Sequence, residues 1–413
     1  MKLNDLIRLH GEPNVLIDHW DTTSTPYAIW DFEEIYHINY KGEAFINDIF
    51  IEGNPLKSFQ KILDRWKIEN DMLAAVGYIS FDLKNLLFPH INFKPPRSKE
   101  PLLWFGKPKN IHSYTLEKSN KKKSNIFSMT QDIPSLEDYE ESINIIKSYL
   151  GKGDTYQINF TQPKKYSIST KPLSIYREMR EIIQPHCGMY IDSGEIQILS
   201  FSPERFFRKI DNIIEAFPMK GTRPRSKDYV QDELLANELY QSKKDRAEHL
   251  MIVDLLRNDL GKVCEYGSIM VDDLYKVESY ETVHQMVSRV HGIINPTYHE
   301  LNIIEALFPG GSITGAPKER AMEIIDSLEN YSRGIYTGAI GTIFCNGDID
   351  FNIGIRTMTI NNNIATYPVG GGIVWDSHSK EEWKEAQQKS EIINMYQKNK
   401  KNSNYNLEQY SDI

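Results

Sequence analysis

Alternation of apolar and polar positions dominates the first part of the chain and predicts strands there. Asn14-Val15-Leu16-Ile17-Asp18, Ala28-Ile29-Trp30 and the run from Ala74 to Asp82 combine a period of two with β-branched and aromatic residues. Pro55 to Lys67 carries the helical period instead. Pro95 to Lys99 and Ser119 to Ser124 are polar and rich in breakers and read as loops, the second, with its lysine triplet, as a linker.

From Ser135 the pattern changes. Ser135-Leu136-Glu137-Asp138 reads as a helix cap, the apolar positions Ile143, Ile145, Ile146 and Leu150 follow at helical spacing, and Gly151 and Gly153 supply the stop. The next strand, Thr155 to Gln162, has polar residues at every second position (Thr155, Gln157, Asn159, Thr161), a stripe that reads first as a solvated sheet face and otherwise as a polar site. Strands are expected over Ile196 to Phe207 and Ile213 to Phe217, and two helices over 228 to 262, the second closed by Gly261. Pro317 to Leu328 reads as a helix with Pro317 near its first turn. The last third is a strand series, Gly334 to Phe344, Ile349 to Ile360 and Ile364 to Val369, with an Asn-Gly hairpin signal at Asn346-Gly347. A final helix is expected from Ser379 to about Gln397, and beyond Lys398 a polar tail.

Composition narrows the class. A chain of 413 residues exceeds the usual limit of a single small core, so one large domain or two intimately joined ones are expected. The net charge of −9, with basic residues scattered or in short runs, argues against a nucleic-acid footprint. Cys187, Cys264 and Cys345 lie far apart without paired metal spacing and fit free thiols in a reducing compartment. No stretch approaches the ~18 apolar residues of a membrane span, and the expected location is the cytoplasm.

Several residues stand out chemically. Lys220, in Pro218-Met219-Lys220-Gly221-Thr222-Arg223-Pro224, follows an apolar strand and lies between two prolines, so it is expected in a tight turn; by itself it is an ordinary solvated lysine. Glu204 follows a proline among apolar neighbours, where desolvation would raise its pKa, although a salt bridge to Arg205 fits the spacing as well. Arg356 sits between apolar strand residues, and a buried arginine requires an anion. Gly370-Gly371-Gly372 would let backbone amides approach a ligand. Glu381, Glu385 and Lys389 share a helix face that reads locally as a surface ladder. Phe308 to Lys318 fails the phosphate-loop pattern, because Pro317 separates glycine from lysine and no Ser or Thr follows. Free amides at the start of its helix could still hold an anion.

In their order these stretches resemble the chorismate-utilising enzymes. The resemblance spans about residues 133 to 395 and rests on Ser202-Pro203-Glu204-Arg205, Lys220 to Pro224, Arg246-Ala247-Glu248-His249, Val253-Asp254-Leu255 with Arg257-Asn258-Asp259, Gly315-Ala316-Pro317-Lys318, Ile355-Arg356-Thr357 and Gly370 to Val374. It extends more loosely to Gly77-Tyr78 and Phe81-Asp82. The resemblance implies an α+β fold of two large antiparallel β-sheets packed face to face with helices outside. Residues 1 to 130 would belong to the same compact fold, 133 to 395 would form the chorismate-binding catalytic part, and 398 to 413 the tail.

It also implies roles. Glu248 and Glu385 would hold Mg²⁺, and Arg356, Tyr336, Lys389 and the amides of Gly370, Gly371 and Gly372 would anchor the carboxylates of chorismate. Glu204 would be the general acid toward the 4-hydroxyl, His284 a ring contact and Thr222 a hydrogen-bonding partner. Gln157 stands where isochorismate and salicylate synthases have a water-activating lysine, which disfavours addition of water. Lys220, where anthranilate synthases have alanine, resembles the lysine nucleophile of aminodeoxychorismate synthases, which serve p-aminobenzoate and folate synthesis. Ammonia would then come from a separate glutamine amidotransferase subunit. Anthranilate synthase activity is the second reading, and a non-catalytic chorismate-binding regulator a remote third. Val15 to His19 and Gln184 to Cys187 depart from the family's tryptophan pocket, so the resemblance does not carry over tryptophan inhibition.

Overall fold

Strand-forming runs from both ends of the chain meet in one hydrogen-bonded fabric. The computed structural model describes residues 1–19, 25–70, 72–116, 127–131, 135–280, 283–393 and 396. Among them, 19 strands join into one antiparallel network, and a separate three-stranded sheet is formed by Gln157–Gln162 with Gly315–Ala316 and Val369–Ile373. Around ten helices pack against these strands, and the fold is α+β with large antiparallel sheets, as expected. The early strands are woven into the later ones: Leu73–Ile79 pairs with Ala339–Phe344, and Val15–His19 with Cys187–Asp192. No helix among the described residues is long and apolar enough to cross a membrane.

Local signals placed most elements well. Pro55–Glu69 is helical, with Pro55 at its start and the Asn54 side chain accepting from the Lys57 amide. Leu136–Gly151 begins with a full capping box between Ser135 and Asp138. The two helices after residue 228 are Tyr229–Gln241 and Lys243–Leu260, each capped by the side chain before it. The lysine triplet Lys121 to Lys123 and the tail beyond Lys398 lie outside the described residues.

Five expectations change. Lys220 lies on a strand, Met219–Pro224, rather than in a turn. Its two prolines sit just before the strand and at its last residue, where a missing N–H costs least. The polar stripe of Thr155 to Gln162 is buried, not solvated: Thr155, Gln157, Asn159 and Thr161 are all at most 6% exposed. A second polar layer meets it, in which Glu329 accepts from both the amide and the hydroxyl of Thr161. The expected strand Ile349 to Ile360 is two, Ile349–Ile353 and Thr357–Asn361, because Arg356 takes a left-handed φ of 47° between them. The expected strand from Gly334 begins only at Ala339. The last helix, expected to run unbroken to about Gln397, spans Ser379–Lys389, breaks at Ser390 and turns helical again over residues 391–393; Pro317 caps the Lys318–Leu328 helix, beside its first turn as expected.

A buried ion pair joins the first strand, Val15–His19, to the helix Pro172–Ile183. Arg180 donates to Asp18 Oδ2 at 2.5 Å, Tyr176 donates to the same oxygen at 2.8 Å, and Tyr114 donates to Oδ1. Both charged side chains are essentially inaccessible. Removing one partner would strand the other charge, so Asp18→Ala is expected to destabilise the fold by about 3–5 kcal/mol, read from the urea midpoint at constant m.

Candidate active site

A polar cleft of about 470 Å³ gathers most of the residues singled out in the sequence. Lys220, Glu204, Thr222, Glu248, Glu385, Arg356, Tyr336, Lys389, Gly370, Gly371 and Gly372 all line it. They come from seven separated segments, so the cleft exists only in the folded chain.

Lys220 is aimed by a β-bulge. It pairs with Met286, the next pairing is Thr222 with Gln285, and Gly221 between them has no partner. A regular strand would turn alternate residues away; the extra residue lets Lys220, Gly221 and Thr222 all face the cleft. Gly221 has a φ of 73°, and a Cβ there would lie 2.7 Å from Leu239 Cδ1 and 3.0 Å from the Asp245 side chain, so glycine is required on both counts. Burial lowers the pKa of Lys220, opposed by the charges of Glu248 and Glu204.

Glu204 lies at the break between the strands Gln197–Ser202 and Arg205–Ile210, held by a bond from its amide to Ser202 Oγ at 3.3 Å. Its carboxylate accepts from Ser312 Oγ at 3.3 Å, and Arg205 pairs with Asp350 instead. Burial pushes its pKa up to about 7, although Lys220 and Ser312 both pull it down. A proton-holding carboxyl and a desolvated amine thus share one cleft, with opposed pKa demands.

The glycine strand Val369–Ile373 forms the floor, paired with Gln157–Gln162. A Cβ on Gly371 would stand 3.5 Å from Glu382 Oε2, 3.6 Å from Lys389 Nζ and 3.8 Å from Glu385 Oε1, so two carboxylates and an ammonium converge above this one backbone position. Glu382 accepts from Ser377 Oγ at 2.7 Å, and burial raises its pKa. Burial also raises that of Glu248, against the pull of Lys220 and Lys244. Glu385 behaves oppositely: burial raises its pKa, but Lys389, Lys220 and Lys244 together outweigh it and hold the carboxyl below the usual range. Carboxylate oxygens around a glycine cradle suit a hard cation such as Mg²⁺. Among the described residues no three His, Cys, Asp or Glu side chains form a complete metal cage, so such an ion would take further oxygens from water and substrate.

Some expected residues stand elsewhere. His284 is turned away from the cleft: it is 1% exposed, with Nε2 2.9 Å from Asp232 Oδ1 and Nδ1 2.8 Å from Ser279 Oγ, while its neighbour Gln285 lines the cleft. Gln157 is buried beneath the floor rather than lining it, 3.1–3.3 Å from where a Gly372 Cβ would stand, and neither polar atom of its amide has a hydrogen-bond partner among the described residues. Arg356 is exposed in the cleft, not buried on a strand, and has no ion-pair partner among the described residues. Lys389 is already engaged, with Glu385 Oε1 at 2.7 Å and the Gly370 carbonyl at 2.9 Å. Glu381 does not line the cleft, whereas Glu382 does. The start of the Lys318–Leu328 helix is closed to an anion in this cleft, because buried Lys318 donates to Asp259 at 2.5 Å.

Sequence reasoning missed Glu382, Lys244 and Ser312 as cleft residues and reached Asn159 only through the second reading of its polar stripe. Glu382 had a visible signal, since it precedes Glu385 by three residues and Lys389 by seven, which also places it on their helix face. What holds Asn159 in place could not be read locally: its carbonyl accepts at 2.6 Å from buried Arg333, far away in sequence.

Comparison with known proteins places the chain in a family. The chorismate binding enzyme family matches residues 18–395. The chain is 43% identical over 258 residues to aminodeoxychorismate synthase component 1 of Bacillus subtilis, covering 62% of this chain and 55% of that protein. It is 37% identical over 337 residues to anthranilate synthase component 1 of Saccharolobus solfataricus, covering 78% of this chain and 79% of that one. In structure it resembles anthranilate synthase component I of Streptococcus pneumoniae, with a TM-score of 0.78 over 90% of this chain and 92% of the other at 24% identity, a likeness of fold.

Proposed function

The chain belongs to the chorismate-binding enzymes, and from that premise we propose that it converts chorismate and ammonia into 4-amino-4-deoxychorismate. The observation that carries this reading is Lys220, a lysine with a lowered pKa, set in the same cleft as a carboxyl whose pKa is about 7. A neutral lysine amine can act as a nucleophile, and a protonated carboxyl can release a hydroxyl as water.

The steps balance. The Lys220 amine bonds to C2 of the ring, the ring double bonds shift, and the C4–O bond breaks as Glu204 gives its proton to the leaving hydroxyl. Ammonia then bonds to C4, the double bonds shift back, and Lys220 leaves C2 as a free amine. The proton shed by the new C4 ammonium returns to Glu204. Arg356, exposed in the cleft and without an ion-pair partner among the described residues, is a cation available to a substrate carboxylate before any rearrangement. Gln157 is no base and lies beneath the cleft floor, so it does not activate water in competition with ammonia. A Mg²⁺ held by Glu248 and Glu385, with Glu382 in reach, would supply positive charge against a substrate carboxylate.

Ammonia would come from a partner glutamine amidotransferase, in keeping with the component 1 designation of the B. subtilis relative, and a separate lyase would release p-aminobenzoate for folate synthesis. The long alignment with an anthranilate synthase component 1 favours anthranilate formation as the second reading. Chromatography of the products from chorismate, Mg²⁺ and ammonium separates the two. Aminodeoxychorismate is expected as the main product, and fluorescent anthranilate as the main product would sink the proposal. Absence of turnover, even with a competent amidotransferase, would revive the non-catalytic regulator.

A further inference from the structure

The predicted cation ligand Glu385 and the predicted substrate anchor Lys389 are bonded to each other, so neither is free for its role. We propose that Lys389 is an internal counter-ion that occupies Glu385 until a divalent cation displaces it, and that this displacement frees the Lys389 ammonium to meet a substrate carboxylate. The inference rests on the reading of Glu385 as a cation ligand.

Three observations support it. Lys389 Nζ contacts Glu385 Oε1 at 2.7 Å, and that same oxygen is the one that joins Glu382 Oε2 above Gly371. An ammonium at that distance and a divalent cation compete for one oxygen, because like charges in contact repel. A second Lys389 proton is spent on the Gly370 carbonyl at 2.9 Å, a bond to the cleft floor that needs little movement to be exchanged for one to a bound anion. The pair is also easily broken. Its side chains are 37% and 54% exposed, the regime in which ion pairs contribute little, so displacement reduces cation affinity by only about fivefold. By linkage the substrate must then strengthen cation binding as much as the cation strengthens substrate binding.

Lys244 provides the control. It is an exposed cation lining the same cleft, and it makes no hydrogen bond or ion pair among the described residues. Its removal deletes the same charge without deleting the contact. Mn²⁺ binding would be followed by electron paramagnetic resonance and Mg²⁺ binding by calorimetry, without chorismate, on wild type, Lys389→Met and Lys244→Met. Lys389→Met is expected to tighten cation binding about fivefold and Lys244→Met by less than about twofold. Lys389→Met should at the same time weaken chorismate binding in the presence of Mg²⁺ and without ammonia. Equal changes in the two variants, or weaker cation binding by Lys389→Met, would overturn the proposal. A wild type that binds no divalent cation overturns the metal reading as well. Neither result depends on which product the enzyme makes.

Discussion

Lys220→Ala is expected to lose the covalent adduct and to lower aminodeoxychorismate formation by about a hundredfold or more, since the nucleophile is absent and only direct attack of ammonia remains. The experiment is intact-protein mass spectrometry after exposure to chorismate and Mg²⁺ without ammonia. Wild type should gain one adduct, and Lys220→Ala none. No adduct on wild type, or an equal one on the variant, means that Lys220 is not the nucleophile. The substitution leaves the Gly221 bulge and the pairing with Met286 in place, so unchanged thermal unfolding can certify the fold. It also has a side effect that a simple loss of structure would not produce. Lys220 pulls the Glu204 pKa down, so its removal should move the alkaline limb of any residual activity to higher pH.

Part of this site was legible in the sequence as short, local signals, a proline before Glu204 and three consecutive glycines, whereas Glu248, Tyr336 and Thr222 were reached only through the order of motifs that resembles the family. What the sequence hid depends on partners far along the chain. The prolines around Lys220 argue for a turn until the bulge is seen, and the bulge is visible only against the partner strand Val283–Ile293. The Thr155 to Thr161 stripe obeys the period of a wet sheet face, but Glu329, 168 residues beyond Thr161, turns it into a buried polar layer. His284 sits one residue from the cleft; strand alternation and Asp232, 52 residues away, decide that it faces the Tyr229–Gln241 helix. Arg356 shows the reverse case, a run of apolar strand residues interrupted by one left-handed residue that delivers a cation to the cleft.

Glu204→Gln should reduce turnover by about 10²–10⁴-fold, the range for loss of a positioned general acid. The carboxyl must carry its proton to act, and burial raises its pKa from an ordinary 4.5 to about 7. Wild-type activity limited by this group is therefore present below about pH 7 and falls as pH rises through that value, and the variant should lack that limb. A pH–rate profile that keeps the same limb in Glu204→Gln would assign it to another group. The same shift makes a stability statement of opposite sense. Between about pH 4.5 and 7 the folded state holds a proton that the unfolded chain has released, so stability is present at low pH and is lost as pH rises through the folded pKa. A shift of that size corresponds to at most about 3 kcal/mol, and glutamine, which never ionises, avoids the loss. Glu204→Gln should thus unfold at higher denaturant concentration than wild type at pH 8 while being far less active. A purely structural glutamate, stabilised by its ion pairs, would give the reverse: a variant that is both weaker and slower. The combination of lost rate and gained stability marks a carboxyl kept in a costly position for the sake of its proton.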